Sequence, residues 1–65
     1  MYNAYELMPN LRRKTFGPFD TVADAIEFIE DKIGEITVCE EDEEHDDHYD
    51  AFTKTMRVIS IEPVA

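Results

Sequence analysis

The chain has 65 residues, 43% of them hydrophobic and seven of them aromatic, and sixteen Asp and Glu against six Lys and Arg give a formal charge of −10. That is apolar enough to fold as one domain, residues 1–65, rather than to persist as a disordered acidic tail, and too acidic to bind nucleic acid or an anionic membrane directly, so its partners are expected to be basic. The single cysteine, Cys39, excludes an internal disulfide and fits a reducing cytoplasm, and no run approaches the roughly 18 apolar residues of a membrane span.

Tyr2 to Met8 mixes aromatic, aliphatic and short polar residues as a strand does, and Pro9-Asn10 marks a turn. Leu11 to Phe16 is expected to return as a second strand, with Leu11, Arg13 and Thr15 on one face and Arg12, Lys14 and Phe16 on the other. The basic triplet Arg12-Arg13-Lys14 is read as lying over the acidic surface of the same molecule. Gly17-Pro18 is expected to break the strand.

The helix that follows is the clearest element. Thr21 with Asp24 three positions on forms a capping box, and Asp20 adds negative charge at the helix start. Val22, Ile26, Ile29 and Ile33 recur at the spacing of one helical face, broadened by Ala25 and Phe28, with Asp24, Glu27, Glu30 and Asp31 opposite. Lys32 suits the last turn and Gly34 the position after the cap.

Glu35 to Glu40 reads as a strand with Ile36 and Val38 on one face and Thr37 and Cys39 on the other. Cys39 is read as a small buried or half-buried thiol rather than a nucleophile. From Thr53 to Ile61 the chain is again β-rich, and these two strands are expected to pair antiparallel. Residues 40–52 between them form either a long connection or an extension of both strand ends, with Tyr49 and Phe52 as anchors. The order β-β-α-β-β makes a small α+β domain with one helix on one face of an antiparallel sheet. Tyr2, Met8, Met56 and Val58 are the apolar candidates for the other face.

Glu40 to Asp50 reads EEDEEHDDHYD, which places eight of the sixteen carboxylates within eleven positions and no Lys or Arg among them. Two carboxylates about 7 Å apart repel by roughly 0.6 kcal/mol even in water. The run therefore costs stability, and repulsion within it predicts a gain as pH falls from 7 toward 5. In an extended segment alternate side chains lie about 6.6 Å apart on one side, so the run offers two rows of carboxylates. Duplex DNA is a comparably dense line of charge, with one negative charge per roughly 1.7 Å of axis. Glu40, Glu41, Asp42, Glu43, Glu44, Asp46, Asp47 and Asp50 are thus candidates to pair with the Lys and Arg of a basic groove, with Tyr49, Phe52 and Met56 as apolar contacts beside them.

In size, single helix, antiparallel sheet and the Cys39-Glu40-Glu41-Asp42-Glu43-Glu44 stretch leaving a strand, the chain resembles the DNA-mimic inhibitors of phages and mobile elements, nearest the uracil-DNA glycosylase inhibitors. The resemblance lies in charge and architecture, with no motif aligned residue by residue. It implies an inhibitor whose acidic strand edge occupies the DNA-binding groove of an enzyme. Sixty-five residues leave little room for a catalytic pocket, so the chain is expected to be no enzyme, to need no cofactor, and to act as a monomer or homodimer. A second reading takes His45 and His48 with the carboxylates around them as ligands for Zn²⁺ in a small metal-binding or regulatory interaction module. His-x-x-His sets both rings on one side if the segment is helical.

Overall fold

A computed structural model describes residues 1–64. Among the described residues five strands, β1 (Tyr2–Leu7), β2 (Arg13–Phe19), β3 (Ile36–Glu41), β4 (Tyr49–Thr53) and β5 (Val58–Pro63), form one sheet in the order β2-β1-β5-β4-β3, and one helix, α1 (Val22–Lys32), separates β2 from β3. Every neighbouring pair is antiparallel, so the domain is α+β as its pattern of elements predicts. The sheet holds one strand more than the four expected. Residues 49–63 fold as a hairpin, and β4 lies between β3 and β5, which therefore do not pair with each other.

Helix α1 forms where its caps and stripe require it. The Thr21 side chain accepts a hydrogen bond from the Asp24 amide at 3.1 Å, which satisfies a donor that the first helical turn leaves free. Ala25 and Ile29 are fully buried beneath the helix, and Val22, Ile26 and Ile33 pack around them. They meet Ala4 of β1, Ala51 of β4, and Ile59 and Ile61 of β5. The two sheet alanines leave room for the isoleucines to reach the strands. Phe28 fills one end of the layer, its ring centroid 5.3 Å from those of both Phe16 and Phe19. The Ile33 amide closes the helix on the Ile29 carbonyl, and the Gly34 amide shares that acceptor. Gly34 does stand just after the cap but has no positive φ. Its lack of a side chain matters instead because a Cβ there would lie 3.3 Å from Thr55 Oγ1.

Strand β2 continues through Gly17-Pro18 to Phe19 instead of stopping before them. As an edge strand it tolerates the missing proline donor. Gly17, at φ 118°, accommodates the irregularity between the pairs Tyr2↔Phe19 and Ala4↔Phe16. Phe19 thereby stays on the helix side with Phe16.

A second irregularity lies in β3, between Ile36↔Thr53 and Val38↔Phe52. It reverses the side-chain alternation, so Ile36 packs on the core while Val38 turns to the opposite, open face, where it is 47% exposed. Ile36 and Val38 do not share a face, contrary to their spacing. Of the four residues assigned to the open face, Val58 lies there. Tyr2 packs on the helix side with the core, Met8 belongs to the β1–β2 turn and Met56 to the β4–β5 turn.

Candidate functional site: an acidic sheet edge and its loop

The acidic run straddles the β3–β4 connection and extends both strand ends. Glu40 and Glu41 close β3, Tyr49 and Asp50 open β4, and Glu40↔Asp50 and Glu41↔Tyr49 face each other across the ladder. Glu40 and Asp50 project from the open face, whereas Glu41 shares the helix side with Tyr49. Glu43, Glu44, Asp46 and Asp47 are exposed in the connecting loop, Asp42 is half-buried at its base, and Glu40 to Glu44 with Asp50 line a shallow depression.

The loop is shaped by its own polar atoms. The Asp42 amide donates to the His48 carbonyl at 2.7 Å, which extends the ladder by one bond. Asp42 Oδ1 accepts from the Glu44 amide at 2.9 Å, an Asx turn. Asp47 takes a left-handed φ of 60°, a conformation that Asp tolerates better than most residues. The Glu44 amide holds the Asp42 carboxyl below its ordinary range, with partial burial opposing and His45 and His48 assisting. Asp42 is the loop's organiser, and its charge is already partly satisfied within the molecule.

His45 and His48 stand with ring centroids 5.1 Å apart although the segment is a turn and not a helix. His45 Nδ1 lies 3.5 Å from Asp42 Oδ2. His48 Nδ1 is 2.9 Å from the Asp46 carbonyl. A carbonyl only accepts, so that nitrogen carries the proton and leaves Nε2 toward Glu62, 4.0 Å away. Among the described residues no group of three or more His, Cys, Asp or Glu is arranged to hold a metal ion.

Of the apolar contacts expected beside the carboxylates, Phe52 lies on the open face one alternation from Asp50 and is 36% exposed. Tyr49 faces the core, where partial burial, followed by the charges of Glu41 and Asp47, pushes its phenol up. Met56, 93% exposed at a φ of 63°, sits in the turn at the far end of β4 from the acidic loop. Cys39, expected to be buried or half-buried, is exposed; desolvation and then the Asp50 charge push its thiol up, which keeps it protonated and weakly nucleophilic.

The sheet order also decides what the basic triplet does. Arg13 and Lys14 lie in β2, the edge opposite β3, four inter-strand steps or about 19 Å away. Of the acidic surface over which the triplet was expected to lie, Lys14 faces Glu6 across β1 and β2, and none of the three reaches residues 40–50. Arg13 instead stacks its guanidinium 4.1 Å from the Tyr5 ring centroid, and the Lys14 ammonium stands 5.3 Å from that of Phe16. Among the described residues no ion pair joins residues 12–14 to residues 40–50. The two sheet edges therefore differ in charge, cationic at β2 and anionic at β3, while Asp24, Glu27, Glu30 and Asp31 form a second acidic cluster on α1 around Phe28.

Sequence reasoning missed the remainder of the apolar row on the open face. Val38 is exposed because of the β3 irregularity, and Leu7, 65% exposed, ends β1 on the same face. Among the described residues no helix is long and apolar enough to cross a membrane. Compared with known proteins, the chain matches no family model, no curated protein and no solved structure.

Proposed function

We propose that this protein is a non-enzymatic, cytoplasmic inhibitor that occupies the basic nucleic-acid-binding groove of another protein, placing carboxylates where phosphates would lie. The observation that carries the reading is the opposite charge of the two sheet edges. Glu40, Glu41, Glu43, Glu44, Asp46 and Asp47 are all exposed along one sheet edge and its loop, and the Arg12-Arg13-Lys14 triplet is held at the other edge. A field left unneutralised in this way speeds encounter with a cationic groove and repels nucleic acid itself.

Carboxylates alone discriminate poorly among basic proteins, because exposed pairs are screened over about 8 Å at physiological ionic strength. Specificity on this reading comes from apolar contact beside the acidic rows, and Phe52 is the best placed of the residues named for it.

Inhibition assays on enzymes that work in a DNA groove test the proposal, with a uracil-excising glycosylase as the first in the panel. The expected result is inhibition that weakens with added salt and with the joint change Glu41→Gln, Asp42→Asn, Glu43→Gln, Glu44→Gln. Inhibition that is absent across the panel, or untouched by those four changes, contradicts it.

A further inference from the structure

The face of the sheet turned away from α1 carries its side chains in parallel rows. Val38 registers with Phe52 and Phe52 with Val58, and the pairing Glu6↔Ile59 brings Val58 alongside Leu7. Four apolar side chains thus run unbroken across four adjacent strands, with exposures of 65% at Leu7, 45% at Val58, 36% at Phe52 and 47% at Val38. The next row, two residues along each strand, reads Tyr5, Ser60, Asp50, Glu40. Beyond it Glu62 and His48 face each other at 4.0 Å, with Asp42 bonded to His48 through the backbone. The face grades from apolar to acidic in steps of roughly 7 Å.

A contiguous, uncovered apolar row on a small domain marks an interaction surface, and three features specify its occupant. Neighbours in the row are one strand spacing apart, about 4.8 Å, close to the roughly 4.5–6 Å that separates apolar residues at i, i+3 and i+4 on a helix. The flank of such a helix lying over Asp50, Glu40 and Glu62 meets carboxylates and calls for Lys or Arg. The two ends of the row also differ in charge. Leu7 pairs with Arg13, and Val38 neighbours Glu40 in β3. A helix dipole is therefore best accommodated with its positive N-terminus over β3 and its negative C-terminus toward β2. A second copy of this chain fits poorly, because each copy carries −10.

We propose that the open sheet face centred on Phe52 and Val58 docks a basic amphipathic helix of a partner protein, lying across the strands with its N-terminus toward β3. This surface shares Glu40 and Phe52 with the groove reading but not the loop carboxylates, because Glu43, Glu44, Asp46 and Asp47 lie outside it.

The test titrates a synthetic peptide of about 18 residues, ~27 Å long as a helix, into the isotope-labelled full chain and follows amide resonances. The peptide carries Leu at i, i+4, i+7 and i+11 and Lys along one flank of that stripe, and a peptide of the same composition in scrambled order is the control. Expected are saturable shifts at Leu7, Val38, Asp50, Phe52 and Val58, with weaker binding by the scrambled peptide. Val58→Thr and Phe52→Thr should each weaken binding by about tenfold, with thermal melts confirming that both variants fold. Glu43→Gln with Glu44→Gln should leave it unchanged, so that failure here and failure of the groove reading are told apart. A spin label on the peptide N-terminus should broaden Val38 and Glu40 first. The proposal is overturned if no saturable shift appears, if both peptides bind equally with shifts confined to residues 43–47, if the label broadens the β2 end instead, or if sedimentation shows a dimer that Val58→Thr disperses.

Discussion

Arg57 grips Glu6 in a two-pronged ion pair, its Nε donating to Oε2 at 2.7 Å and its Nη2 to Oε1 at 2.5 Å, across 51 residues of sequence. Glu6 is only 6% exposed, so β1 places a charge inside the layer and the turn before β5 supplies its counter-ion. The same turn is fixed by Thr53, whose amide donates to the Arg57 carbonyl at 2.9 Å and whose hydroxyl accepts from the Arg57 amide at 2.9 Å. Breaking a fully buried pair from one side costs about 3–5 kcal/mol. The Arg57 side chain is 38% exposed, so Arg57→Ala is expected to cost less, about 2 kcal/mol. At about 4–8 °C per kcal/mol for a domain of this size, a thermal melt should read roughly 10 °C lower. Glu6→Leu with Arg57→Met, which removes both charges, should recover most of that loss.

Acid titration has a defined sign. The hydrogen bonds from Arg57 hold the Glu6 carboxyl below its ordinary value of 4.5, with partial burial opposing them and the charges of Arg57 and Lys14 assisting, and Asp42 is held down in the same direction. A carboxyl depressed in the folded state contributes stability above its unfolded value and loses it as pH falls through its folded value. Melting temperatures should therefore decline below about pH 4.5, and Arg57→Ala should flatten that acid limb. A melting temperature that kept rising through pH 4 would mean that repulsion within residues 40–50 governs instead.

Two positions test the local conformations. Thr21→Ala removes the acceptor for the Asp24 amide and should cost about 1 kcal/mol. Gly17→Ala places a Cβ 2.9 Å from Asn3 Oδ1 at a φ of 118° and should cost more than about 1 kcal/mol, since neither the space nor the backbone conformation suits a side chain. Denaturant unfolding measures both, and equal stability of Gly17→Ala and the wild type would refute the role given to the β2 irregularity.

How far the fold was legible follows from how local each signal is. The cap at Thr21 and the stripe from Val22 to Ile33 lie within one short segment, so the helix could be read directly. The two faces of β3 could not. One irregularity between Ile36 and Val38 reverses the alternation, and nothing in Ile-Thr-Val-Cys announces it. Strand β4 was hidden because Tyr49, Ala51 and Thr53 face the core while Asp50 and Phe52 face outward, which leaves no apolar alternation to recognise. The acidic run was plain as composition. Its place at the sheet edge opposite Arg13 and Lys14 depends on strand order, and so does the meeting of Glu6 with Arg57.

His45 and His48 make a further prediction possible. Their rings are neighbours, but His45 is engaged by Asp42 and His48 by Asp46 within the turn and by Glu62 of β5. Replacing both with Ala should leave capture of a basic partner unchanged, as read by surface binding with and without a chelator. Loss of capture on adding the chelator would assign the turn to metal binding.

The central claim is that a partner's nucleic-acid groove accepts this protein in place of nucleic acid, and competition measures it most directly. The immobilised chain captures its partner from lysate, and a duplex DNA oligonucleotide is then titrated against the complex at fixed salt. The account predicts that the partner is a nucleic-acid-binding protein, that duplex DNA releases it in a saturable way, and that neutralising Glu41, Asp42, Glu43 and Glu44 slows its association and lowers the salt slope. A partner retained under saturating DNA, with an association rate indifferent to those four carboxylates, would contradict it.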